Sequence, residues 1–276
     1  MADILVMETI KQIELLPAIP VAAKMVLKQL DQDSFELVKF CGAVEKDPAM
    51  VAKLLAIANS AYYAGAGKIL GVKEAVVRLG VDETRRVVLA ITLSKSFDWS
   101  ACSSFNAAWY WEDALNVADC AQRIAVLMDD SDVQDAAYAA GLLHNIGILV
   151  LIQLFPAKMA AICTKVDRMV FGHVISRHMD IDHRQAGAML LQQWELPAPF
   201  VVVTGHLADK YQGDHSRLLN LIRFSLQWYG FRFAAIPEYD PYKALNIDKA
   251  GLRRLASEVR QQKVKNEQLA AMLIYS

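Results

Sequence analysis

The sequence predicts an all-α fold, and three observations carry that prediction. Apolar residues recur at i, i+3, i+4 and i+7 along much of the chain, the spacing of a single helix face. Helix punctuation brackets these stretches, with a start at Asp47-Pro48 and a stop at Gly80. No run of alternating β-branched residues bounded by turns requires a sheet.

Taken in order, Asp33 with Glu36 forms a capping-box pattern at the head of Phe35-Glu-Leu-Val-Lys-Phe40. Behind Asp47-Pro48, Met50, Leu54 and Ile57 form a stripe that Val51, Leu55 and Ala58 widen. Val72, Ala75, Val76 and Leu79 mark the next helix, and Asp82 is placed to cap the one through Val87, Val88 and Ile91. The serine-rich stretch from Ser94 to Asn106 lacks periodicity and reads as a junction between subdomains. A long helix from about Ala107 to Met128 puts Trp111, Leu115 and Ala118 on one side. Asp129-Asp-Ser-Asp132 supplies a turn and the next cap. Later helices run from about His183 to Trp194, from Phe200 to His206 and through Leu218, Ile222, Leu226 and Tyr229, with two more reaching Tyr275. Repeats and sustained heptads are not evident. The expected divisions are 1–105, 106–212 and 213–276.

The 276 residues suit one large domain or two ordinary ones, and 55% hydrophobic content can bury a sizeable core. That excludes disordered and low-complexity readings. A net charge of -1 gives no global positive field, so neither nucleic acid nor anionic membrane is an expected partner. Cys41, Cys102, Cys120 and Cys163 are scattered singly, as core fillers are, rather than paired as in a zinc site. The first residues carry acids and no basic region of the secretory kind, so a reduced, cytoplasmic setting is expected. Walker, G-x-G-x-x-G, G-x-S-x-G and H-E-x-x-H motifs do not occur.

From Ala136 to Ala157, 22 consecutive residues carry no formal charge, a length that could span a bilayer. His144-Asn145 sits near the middle, flanked by Gly141 and Gly147. A helix buried on every side within a bundle is the better reading, and its polar pair then needs partners. The other histidines are His173, His178, His183, His206 and His215. On an all-helical scaffold, imidazoles and carboxylates from several helices can hold metal ions, the carboxylates offsetting charge and bridging two cations.

Several segments together resemble the HDOD (HD-related output domain) family. They are Leu16-Pro-Ala-Ile-Pro20, Glu45-Lys-Asp-Pro48, Leu54-Leu-Ala-Ile-Ala-Asn-Ser-Ala-Tyr-Tyr63, Ala75-Val-Val-Arg-Leu-Gly80, Gly141-Leu-Leu-His-Asn-Ile-Gly147, His183-x-x-x-Gly187 and Trp194-Glu-Leu-Pro197. The resemblance implies an HD-like helical bundle preceded by an N-terminal helical subdomain, acting in bacterial signalling.

Compared with active HD phosphohydrolases, His144 matches the central histidine while Asn145 replaces the adjoining aspartate. The earlier histidine falls at Asp113 and the final aspartate at Ser225; His183 and His206 occupy positions that are often His. An amide offers one neutral oxygen and cannot bridge cations, so a binuclear centre is not expected and no cofactor is assigned. One ion on His144 and His183, with Asp113 or His206, stays open. Gly172 lies eleven residues before His183, farther than in the family, so His173 to His178 reads as an insertion or rearranged loop. His173, His178 and His215 read as surface or loop residues. Asn59, Ser60, Tyr62 and Tyr63 end an amphipathic helix, as an inter-subdomain or partner contact or as an ordinary terminus, and Trp194 reads as core.

The expected function is a non-catalytic signalling module that contacts other signalling proteins. A divergent metal-dependent phosphohydrolase and a nucleotide sensor are the alternatives.

Overall fold

Local chemistry explains where many of the helices begin and end. The computed structural model describes residues 16, 18–28, 36–63, 65, 67–165, 171–179, 181–229, 245 and 249–274. Among them are helices and no strands. The first five are α1 (Val21–Lys28), α2 (Leu37–Glu45), α3 (Pro48–Ala58), α4 (Val72–Leu79) and α5 (Val81–Lys95). The next are α6 (Ala107–Met128), α7 (Ser131–Leu143), α8 (Ile146–Leu154), α9 (Pro156–Cys163) and α10 (Phe171–His178). The last are α11 (His183–Gln193), α12 (Ala198–His206), α13 (Ser216–Trp228) and α14 (Lys249–Ile274).

Asp47 caps α3 as its sequence predicts, accepting from the Ala49 and Met50 amides at 3.0 and 3.1 Å, with Pro48 in the first turn. Asn106 caps α6 by accepting from Trp109 N at 3.1 Å, and Asp129 ends it in the left-handed conformation, φ 50°. Gly80, with φ 82°, ends α4 and starts α5, so Asp82 lies inside the first turn rather than capping it. Asp33 lies outside the described residues, and Glu36 stands at the α2 N-cap without a side-chain capping bond.

Two further expectations are corrected. The uncharged stretch is two helices, α7 and α8, because Asn145 leaves helical geometry at φ -115° and ψ 17°. Residues 171–178 form α10 rather than a loop. Of the two helices expected in the C-terminal region, α14 is described; Leu245 is helical too, and the other residues between Tyr229 and Lys249 lie outside the described set.

Helices α1 to α5 pack on one another, and α6 to α13 form a second bundle centred on α6, α7, α8 and α11. One continuous apolar cluster joins them, from Leu16 to Leu273. The serine-rich connector also ties the halves: the Phe97 and Trp194 rings lie 6.1 Å apart, and Lys24 pairs with Glu195 at 2.8 Å. Val133–Leu154 is apolar and long enough to cross a membrane, yet 83% of its most apolar window is buried inside the protein.

Two glycines let the central helices meet backbone to backbone. A Cβ on Gly141 would lie 2.5 Å from Ala118 Cα of α6, and one on Gly147 only 1.7 Å from His183 O of α11. Neither obstacle is a movable side chain, so any substitution forces helices apart. Gly147→Ala is therefore expected to cost about 3 kcal/mol and lower the melting temperature by on the order of 10 °C. Gly42, in α2, has nothing within 4 Å of its would-be Cβ. Gly42→Ala should stabilise by roughly 0.5–1 kcal/mol in the same thermal or urea melts. Equal effects at the two positions would rule out the packing described.

Candidate functional site

The break between α7 and α8 puts His144 at the centre of the second bundle. It is 1% exposed, and its Nδ1 lies 2.5 Å from Gly141 O. A carbonyl only accepts, so Nδ1 carries the proton and Nε2 bears the lone pair. That Nε2 is buried and has no hydrogen-bond partner among the described residues.

The Gly147 contact brings His183 alongside. His183 opens α11 and is 5% exposed, and its Nδ1 is 3.4 Å from Asp182 Oδ1. Asp182 caps the helix, accepting from Arg184 N at 2.8 Å. The Arg184 guanidinium grips the same carboxylate, with Nε 2.8 Å from Oδ1 and Nη2 on Oδ2. Burial raises the Asp182 pKa, but these hydrogen bonds and the neighbouring charges outweigh it and hold the carboxyl well below its usual range.

Desolvation pushes both imidazoles down to about 4. The Gly141 bond opposes this at His144. At His183, Asp182 opposes it, while Arg184 and the nearby His144 add to it. The pocket thus holds two neutral imidazoles beside a carboxylate already occupied by Arg184.

Each of the other expected members has its own surroundings. Asn145 is half-buried and makes no capping bond. Asp113 is half-buried on α6. Ser225 is buried on α13, donates to Leu221 O at 2.9 Å and meets the Cys120 thiol. His206 does not share the buried surroundings of the pair. Its side chain is 41% exposed, with Nδ1 2.8 Å from Asp209 Oδ2 and the ring stacked on Tyr211 at 4.4 Å. His178 is exposed on α10 with Nδ1 2.9 Å from Val174 O. Exposed His215 occupies the α13 N-cap at φ 67°.

Among the described residues, no three His, Cys, Asp or Glu side chains are grouped to hold a metal ion. His144 and His183 offer neutral nitrogens, the form that binds metals. The donors present do not fit a binuclear centre, which needs bridging carboxylates.

Sequence reasoning missed two of three supports. Thr204 of α12 reaches Leu143 O at 3.4 Å, and its Cγ2 would lie 2.8 Å from a Cβ on Gly187. Gly187 in turn faces Gly147. Buried Arg223 of α13 donates to His206 O, Leu207 O and Asp209 O at 2.7, 3.1 and 2.5 Å, closing the end of α12. The His183-x-x-x-Gly187 spacing signalled the glycine; nothing local signalled Thr204 or Arg223.

The Asn59 segment has its own role. Asn59 bonds Leu55 O, Ile69 O and Ile69 N at 2.9, 2.9 and 2.8 Å, pinning the chain that leads to α4. Ser60 accepts the Tyr63 amide through its carbonyl at 3.1 Å. Tyr63 donates to Glu83, and Lys265 of α14 lies 5.4 and 5.2 Å from the Tyr62 and Tyr63 ring centroids.

An HDOD domain is matched over residues 16–209, most of the chain. The chain belongs to the HDOD domain family. The HDOD match takes in the serine-rich connector and α1 to α12, and stops before α13. A Marinobacter aquaeolei VT8 protein assigned to signal transduction superimposes with a TM-score of 0.79 at 23% identity, covering 99% of this chain and 66% of that one. A Shewanella amazonensis SB2B protein assigned as a phosphohydrolase gives 0.69 at 21% identity, over 96% of this chain and 97% of that one. An uncharacterized protein of Treponema pallidum (strain Nichols) is 24% identical over 192 residues, 69% of this chain and 37% of that protein. The chain therefore spans little more than a third of this curated relative. At these identities, the structural likeness shows the shared fold.

The buried pair sets a pH dependence. Both folded-state pKa values lie below the ordinary histidine value of 6.5, so the unfolded chain binds the extra protons. Stability from each is fully present above about pH 6.5 and is lost as pH falls toward 4. Between pH 7 and 5 each should cost about 2 kcal/mol. His144→Gln is expected to unfold more easily at pH 7, yet to lose about 2 kcal/mol less over that interval in urea titrations. The same pH slope in both proteins would contradict a neutral, buried His144.

Proposed function

We propose that this HDOD protein is a non-catalytic regulatory module of bacterial signalling, cytoplasmic and acting through contacts with other signalling proteins. The observation that carries the reading is the state of the carboxylate at the pocket. Position 145 is an amide, and the carboxylate beside His183, that of Asp182, is held by Arg184. Two neutral imidazoles bring no negative charge to offset a pair of divalent cations or to activate a bridging water. The family and the assignment of the Marinobacter relative to signal transduction support the same direction.

The lone pair on His144 Nε2 favours a second reading, one divalent ion on His144 and His183 serving phosphate-ester hydrolysis. Elemental analysis of protein purified without chelator separates the two. The first reading expects less than about 0.1 equivalent of Fe, Mn, Zn, Ni or Mg per chain. It also expects no hydrolysis of bis(p-nitrophenyl) phosphate or cyclic dinucleotides beyond that of His144→Ala. One equivalent of metal together with turnover that His144→Ala abolishes would establish the second. A nucleotide sensor would instead show thermal stabilisation by millimolar nucleotide without turnover.

A further inference from the structure

The last helix carries a pattern that its sequence disguises. Buried residues of α14 include Leu255, Val259, Gln262, Asn266, Leu269 and Leu273. Their steps alternate between four and three residues, the a/d seam of a coiled coil. Both ends of the seam are apolar, and its two central members are an amide pair.

Each central polar group meets a designated partner. Asn266 Nδ2 donates to Asn116 Oδ1 of α6 at 3.0 Å. Arg123 of α6 reaches Gln262 Oε1 at 3.2 Å and Glu258 Oε2 at 2.8 Å. Higher numbers on α6 pair with lower ones on α14, so the helices run antiparallel. One residue before Asn266, Lys265 is also buried and pairs with Glu83 of α5, which in turn accepts from Tyr63. At the far end, Lys53 of α3 donates to Leu273 O at 2.8 Å.

These contacts lie across both bundles, since α3 and α5 belong to the first and α6 to the second. A central polar layer fits in one register only, because a shifted helix would bury Lys265 and Asn266 away from these partners and leave Glu83 without its lysine. The same layer binds more weakly than an apolar one of equal area, since its groups give up water to pair. Specific register with reduced adhesion suits a helix that leaves its seat and returns to it.

We propose that α14 is a detachable strap: it leaves as one unit while the helices beneath stay folded, and while seated it locks the first bundle to the second in one orientation. This goes beyond the signalling reading and does not depend on what the His144 pocket binds.

Amide hydrogen exchange on the full chain tests it. In the unmodified protein, α14 amides are expected to exchange together and at least 100-fold faster than those of α8 and of central α6. Lys265→Met, which deprives Glu83 of its lysine, should speed α14 exchange at least tenfold further and leave α8 unchanged. Asn116→Leu with Asn266→Leu and Asp119→Leu, the last removing the carboxyl that also bonds Asn266, makes this part of the layer apolar and should slow α14 exchange instead. Equal protection of α14, α6 and α8 in the unmodified protein overturns the proposal whatever the variants do. So does a triple variant in which α14 exchanges no more slowly than before.

Discussion

The second bundle depends on a backbone contact that side chains would prevent. At Gly147, α8 meets α11 so closely that a Cβ would fall 1.7 Å from His183 O, and Gly187 on the other side leaves the same space open. Helices usually pack through their side chains at 8–10 Å between axes. Here the missing side chains permit a tighter approach, and it places His183 against the break that holds His144. Gly141 does the same against α6 at Ala118. The pocket is a consequence of these crossings: two imidazoles lie in it because the backbones that carry them touch.

Dry surroundings then decide what those imidazoles are. Desolvation outweighs the carbonyl bond at His144 and the carboxylate at His183, so both stay uncharged. An aspartate in place of Asn145 would add negative charge able to recruit a cation. The amide adds none, and the negative charge of Asp182 is matched locally by Arg184. The arrangement keeps ligand-competent nitrogens while withholding the charge a pair of metal ions would require.

Polar chemistry is also concentrated where the bundles share a helix. The Glu83 carboxyl is drawn upward by burial, but Lys265 above all, with Tyr63 and Arg86, more than reverses this. Nearby Asp119 goes the other way, with burial dominant over its bond to Asn266 and the charge of Lys265. Such layers select a geometry more than they add stability. Apolar packing joins the bundles, and the polar layer says in which register α14 lies across them.

The all-α class, the ends of α6 and the Asp47 cap were legible because each depends on periodicity or on residues within one turn. His144 and His183 were legible as candidates because motifs place them. The break at Asn145 was not, since an apolar run gives no sign of a helix interruption that tertiary neighbours must accommodate. The α14 seam was hidden because Gln262 and Asn266 interrupt the apolar pattern at its centre. Position in the motifs grouped His206 with the pocket, yet Asp209 and Tyr211 engage it at the surface. By itself, the sequence determined a helical chain that resembles the HDOD family and carries an amide, Asn145, beside His144, because both are written in residue identity and local spacing. Only the tertiary structure decided which imidazoles meet, that Arg184 holds the remaining carboxylate, and that Lys265 is buried against Glu83, because those contacts join groups brought together only when helices distant in sequence pack.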